Sequence, residues 1–207
     1  MRLKRFRWLL AIVLLLFAGG VKADPLNTVT IDGSVSFWVG NIGIPPYGGT
    51  LNGVKESFYC VDFSATIAPP YSWGVNITSL TGSNFSSTRL AKLGSGTQTA
   101  YLEMAWLITK MMGAATNGEK AAYQFAIWSF TGGPNYGTNQ TLRGDALAAV
   151  QNGFKGQGWE ILTPTGTPGQ EFMIYVTEPA ELLMFVIGVF VLGLATRKRR
   201  VAGANAT

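Results

Sequence analysis

The sequence contains no histidine and only one cysteine in 207 residues. The commonest general base and the commonest zinc ligand are therefore missing. A single cysteine excludes an internal disulfide and any cysteine cluster for zinc or iron–sulfur. Charge is sparse, at 13% of residues. The nine acids of residues 24–177 are scattered, with no pair at a spacing that argues for glycosidase carboxylates. No nucleophile–base pair is visible either, so turnover catalysis is not expected and no cofactor is called for.

A basic surface is missing as well, despite a formal net charge of +5. Residues 1–23 hold five Lys/Arg and no acid, and Arg197, Lys198, Arg199 and Arg200 add four more. Residues 24–177 keep seven basic residues against nine acids, a balance of about −2. That body offers no electrostatic footprint for nucleic acid.

The two ends read as addresses. MRLKRFR is followed by an eleven-residue apolar run, Trp8–Ala18, and then by GGVKA. This is the charged, apolar and small-residue order of a secretory signal peptide, with cleavage after Ala23. Eleven apolar residues are too few to cross ~30 Å of hydrocarbon. The chain is expected to leave through an export translocon. Near the other end, Ala180–Thr196 is an apolar run of seventeen residues broken only by Glu181. At ~1.5 Å per residue it just spans a bilayer as a transmembrane helix, and the basic cluster behind it keeps that end cytoplasmic.

Thr177-Glu178-Pro179, a short apolar helix and Arg197–Arg200 follow in that order. The arrangement resembles the PEP-CTERM sorting signal of Gram-negative bacteria over residues 177–200. In that family the motif begins with proline, where this chain has Thr177. The resemblance implies an exosortase-type processing enzyme that removes the helix and passes the body outward, to the cell surface or beyond. The expected organisation is a signal peptide at 1–23, an extracytoplasmic body at 24–176, a sorting segment at 177–200 and a short tail at 201–207.

The body holds 21 of the 26 glycines, about twice the usual ~7% frequency. Asn27–Gly40 alternates as a pair of strands or one bulged strand, and Gly40–Gly53 reads as a loop. Ser57–Phe63 and Tyr71–Leu80 read as strands. The period then becomes helical over Thr97–Met112. A second helix is expected over Gly118–Phe130 with Asn117 as its cap, and a weaker third over Thr141–Phe154. Strand character returns at Trp159–Leu162 and Glu171–Val176. The fold class is α+β: a β-sandwich or barrel-like sheet with a helical insertion. Within the helices, Leu107 is expected to matter less than Ala105, Trp106 or Ile127.

Cys60 lies in the strand Tyr59-Cys60-Val61, and an odd cysteine in an exported protein invites explanation. It could be an inert buried thiol. It could pair with another chain, although Tyr and Val flank it. A lipid anchor is excluded by its position. The remaining reading is an internal thioester, in which the thiol attacks the carboxamide of a nearby Gln and ammonia leaves. That chemistry needs a lone Cys, a Gln held against it and aromatic walls that exclude water. Gln124, in Tyr123-Gln124-Phe125-Ala126-Ile127-Trp128, is the first candidate partner, with Tyr59, Tyr123 and Trp128 as walls. Gln98 is the second.

Both segments resemble the motifs of thioester domains in bacterial surface adhesins. One motif is aromatic-Cys-hydrophobic; the other is hydrophobic-Gln-x-x-hydrophobic-hydrophobic, often ending Ala-Ile-Trp. Asp62 and the helix before Gln124 also look familiar from that family, and the resemblance spans about residues 57–131. It implies covalent attachment of Cys60–Gln124 to amines or hydroxyls, including those of exopolysaccharide. Two function classes stand: a surface or matrix protein that attaches covalently, and a non-covalent structural or carbohydrate-binding component of a matrix or biofilm with an inert Cys. Asp62 reads as a turn cap. Trp73, Trp106, Trp128 and Trp159 are candidates for a sugar-stacking platform, but Trp106 and Trp128 lie on helix faces, where tryptophan is more often core. The sequons at Asn76, Asn84 and Asn139 and the segment Gly94-Ser95-Gly96 carry no chemistry.

Overall fold

Val29 and Ile31 are wholly buried, while Thr28 and Thr30 between and beside them are not. This period of two marks β1 (Asn27–Ile31) as a strand with one face on a core. The computed structural model describes residues 27–134, 137–166 and 169–176. The expected signal peptide, sorting motif and helix 180–196 lie outside them. No helix among the described residues is long and apolar enough to cross a membrane.

Seven further strands follow: β2 (Phe37–Val39), β3 (Ile42–Ile44), β4 (Tyr47–Leu51), β5 (Val54–Cys60), β6 (Tyr71–Ser79), β7 (Trp159–Pro164) and β8 (Phe172–Tyr175). Six of these eight strands close into an antiparallel barrel in the order β1-β4-β5-β8-β7-β6, and β2 pairs with β3 in a separate hairpin. The barrel-like alternative is thus the one adopted. Three helices are inserted between β6 and β7: α1 (Thr97–Gly113), α2 (Asn117–Trp128) and α3 (Gly137–Gln151). A 3-10 segment, Arg89–Gly96, leads into α1.

The loop expected over Gly40–Gly53 is instead two strands and a tight turn. Gly48 and Gly49 lie inside β4. A Cβ on Gly49 would stand 2.1 Å from the carbonyl oxygen of Thr30 in β1, so glycine is needed for backbone approach rather than for a turn. Asn52 and Gly53, both at positive φ, make the two-residue turn into β5. The α2 cap is also corrected by one residue. Thr116 accepts from the Glu119 N–H at 3.2 Å, and the Glu119 carboxylate accepts from the Thr116 N–H at 3.0 Å, forming a reciprocal capping box. α3 begins four residues before its expected start, at Gly137.

Two apolar clusters divide the interior. Phe58, Cys60, Trp73, Val75, Leu162, Phe172 and Ile174 fill the barrel. Tyr59, Val61, Ile161 and Met173 face outward from the same strands and meet the helices. The C-terminal end of β5 is therefore buried on both faces, which explains the unbroken apolar run FYCV. Leu107 is fully buried in the helical cluster, whereas Trp106 is only partly buried, with the Lys110 ammonium 5.1 Å above its ring. The expected ranking of those two is reversed.

Candidate functional site

Cys60 is the last residue of β5, paired with Phe172 of β8, and its side chain points into the barrel. It is wholly buried. Burial pushes the thiol up to about 12, and the carboxylates of Asp62 and Glu171 add to the rise. The neutral S–H donates to the Asp62 carbonyl at 3.4 Å.

α2 brings Gln124 to this strand end. The side chain of Gln124 is also wholly buried, and its Nε2 donates to the backbone carbonyl of Cys60 at 2.8 Å. That carbonyl can only accept, so it fixes which end of the amide faces it. Gln124 Oε1 is left buried without a partner. One turn further along α2, the indole N–H of Trp128 is likewise buried without a full hydrogen bond. It lies close enough to the thiol to favour the thiolate. The site thus contains an orphan acceptor and an orphan donor, each costly to leave unpaired.

The backbone around the pair is tied from three sides. The Thr131 hydroxyl donates to the Val61 carbonyl at 2.9 Å and accepts from the Phe63 N–H at 3.1 Å. The Val61 N–H donates to the Glu171 carbonyl at 3.1 Å. Asp62 accepts from the Ser64 N–H and hydroxyl at 3.1 and 2.6 Å and ion-pairs with Arg89 Nε at 3.1 Å. It caps a turn, as expected, and also holds the segment before α1. Beneath it, buried Glu171 accepts from the Arg89 N–H at 2.9 Å, the Thr163 hydroxyl at 2.6 Å and the Tyr101 hydroxyl. Sequence reasoning missed Glu171, Arg89 and Thr131, because no local pattern marks residues joined only through tertiary packing.

Of the expected walls, Trp128 is at the site, packed against Phe63 and Phe125 with ring centroids at 5.3 and 5.9 Å. Tyr59 and Tyr123 belong to the helix-side cluster, where Tyr59 packs edge-on to Trp159. Phe172 and Tyr47 complete the barrel side instead, with their rings 5.8 Å apart. Gln98 is not brought to Cys60; its amide donates to the Leu80 carbonyl at 3.0 Å. Trp73 and Trp128 join the barrel cluster while Trp106 and Trp159 join the other, so the four make no common platform. Asn139 is buried and donates to the Pro134 and Phe125 carbonyls, fastening α3 to the end of α2.

No family model, curated protein or solved structure matches this chain.

Proposed function

We propose that the protein is an exported, exosortase-sorted surface or matrix protein that attaches covalently through a thioester between Cys60 and Gln124. The observation that carries this reading is the Gln124 amide, wholly buried and held by its Nε2 against the carbonyl of Cys60 itself. In the proposed step the Cys60 sulfur bonds to Gln124 Cδ, the C–N bond breaks, and the thiol proton leaves with the amide nitrogen as ammonia. The Trp128 N–H favours the developing thiolate, and the orphan Oε1 becomes the thioester carbonyl oxygen. The same burial that raises the thiol makes it a poor leaving group and excludes water, so the acyl group is stored until an acceptor enters. A stored acyl group reacts once, so the protein is a reagent rather than an enzyme.

The intact mass of the exported protein, between its determined termini, tests the bond. A deficit of one ammonia and a methylamine adduct at Gln124 are expected. Full sequence mass with an unmodified Cys60 would leave the second reading, a matrix component with an inert thiol. That reading draws on the neutral S–H already satisfied by the Asp62 carbonyl. Sorting rests on the resemblance of residues 177–200. Replacing Glu178-Pro179 with Ala-Ala should leave a full-length membrane species, and release at the parent's rate would sink it.

A further inference from the structure

A groove of about 520 Å³ opens beside the Cys60–Gln124 pair, between the β2–β3 hairpin and residues 62–69. Its size lies within the ~300–1,000 Å³ of small-ligand sites. Trp128 lines it from below and also packs in the cluster that contains Cys60, so the groove and the reacting pair share one wall. Phe63 tilts against Trp128 at 5.3 Å, and Trp38 stands on the rim with 62% of its surface exposed. A tryptophan so exposed on a three-residue strand contributes little to the hairpin and offers a flat face to a ligand.

The charge of the groove selects among ligands. Among the described residues Asp62 is its only lining carboxylate, and that group is already paired with Arg89. No lysine or arginine among the described residues lines it. An ammonium finds no free anion there, and an anionic ligand finds no cation. Beyond the paired Asp62, the polar lining includes the uncharged Asn41, Thr66 and Gln170. The side chains of Asn41 and Thr66 make no hydrogen bond among the described residues. Aromatic faces beside neutral amides and a hydroxyl suit a neutral ring with an apolar face and hydroxyl edges.

We infer that this groove is a subsite for a neutral pyranose of a polysaccharide, with its ring against Trp38 and Phe63. The covalent consequence rests on the thioester reading; the binding does not. A hydroxyl carried past Trp128 attacks Gln124 Cδ. The C–O bond of an ester forms, the C–S bond breaks, and the hydroxyl proton passes to the Cys60 sulfur.

The test uses the full chain in mild detergent, with Cys60→Ala to silence the acyl chemistry. Binding is screened on neutral and acidic glycans and on an acetyl-lysine amide bearing a free ε-amine. The best neutral hexasaccharide is then titrated against tryptophan fluorescence. Saturable binding to a neutral glycan is expected, weakened about tenfold or more by Trp38→Ala, the scale of one lost aromatic contact. Trp38→Ala should keep the fold by circular dichroism and, in a Cys60 background, keep the ammonia deficit. Binding to no neutral glycan, preference for the acidic glycans or the amine, or indifference to Trp38→Ala would each overturn the subsite. Glycan binding without an ammonia deficit would retire the thioester and keep the groove; a deficit without glycan binding would do the reverse.

Discussion

Gln124 donates its amide to the backbone carbonyl of Cys60 at 2.8 Å, across 64 residues of sequence. This hydrogen bond orients the unreacted carboxamide, and it is lost with the nitrogen when ammonia leaves. It also makes the identity of residue 124 strict. Gln124→Glu would set a carboxylate oxygen against a carbonyl oxygen in a wholly buried site. The acid would also lack an amine to expel. The expected result is no methylamine adduct and a loss of ~2–4 kcal/mol at neutral pH, the scale of a buried group without its partner. Denaturant unfolding and intact mass measure the two effects. A Gln124→Glu protein as stable as the parent would mean that the Cys60 carbonyl does not govern this position.

Trp128 combines two roles that substitution separates. Trp128→Ala removes a ring packed on Phe63 and Phe125 at the barrel mouth and should cost ~3–5 kcal/mol. Trp128→Phe keeps an aromatic ring there but removes the N–H. It should cost about 1–2 kcal/mol and still lower the fraction of protein that shows the ammonia deficit. If Trp128→Phe forms the bond as fully as the parent, the indole is packing alone.

The unequal legibility of the fold has physical causes. Cys60 and Gln124 are legible together from the resemblance of their two short motifs, and it is the packing of α2 on the end of β5 that brings them within hydrogen-bond reach. The helices were readable from their period, and α2 even from its first turn, although the capping box Thr116–Glu119 places the cap one residue earlier than Asn117 suggested. β3 and β4 were hidden because glycine there serves strand-to-strand approach at Gly49. The pair Asn52-Gly53, a strong hairpin signal, could have revealed them. The placement of Tyr59 follows from the strand period alone: a neighbour of Cys60 in β5 must face the other side. Trp38 and the groove depend on a hairpin packed across the barrel end, which no local pattern encodes.

The free thiol carries a pH signature of its own. Burial holds Cys60 at about 12, above the ordinary thiol value near ~9, so the folded chain keeps its proton longer than the unfolded chain does. Stability is therefore lost as pH rises from about 9 towards about 12. Tyr47 and Tyr101 are raised by burial as well and lose stability in the same direction. Comparison within one background isolates the thiol. Gln124→Ala, which leaves Cys60 free, should weaken more steeply over this range than Gln124→Ala/Cys60→Ala. Equal slopes in urea unfolding would mean that the thiol is not held neutral by its surroundings.

Glu171 is the acid on which the barrel and the insertion converge. Burial raises its pKa, while the bonds from Thr163, Tyr101 and Arg89 act against the rise. With its folded value above the unfolded one, its contribution is complete at low pH and is lost as pH climbs out of the ordinary carboxylate range. Glu171→Gln should remove that loss. Oε1 can still accept from the Thr163 hydroxyl and the Arg89 N–H, and the new amide can donate to the Tyr101 hydroxyl. The Gln variant is expected within about 1 kcal/mol of the parent near pH 4, with a flatter profile above it. Glu171→Leu leaves three buried donors without an acceptor and should cost ~3 kcal/mol or more at any pH. Urea titrations of the three proteins at about pH 4 and about pH 7 distinguish these outcomes. A Leu variant no weaker than the Gln variant would mean that the three donors find other partners. Glu171 would then be a passive occupant of the junction that carries Asp62 and Cys60.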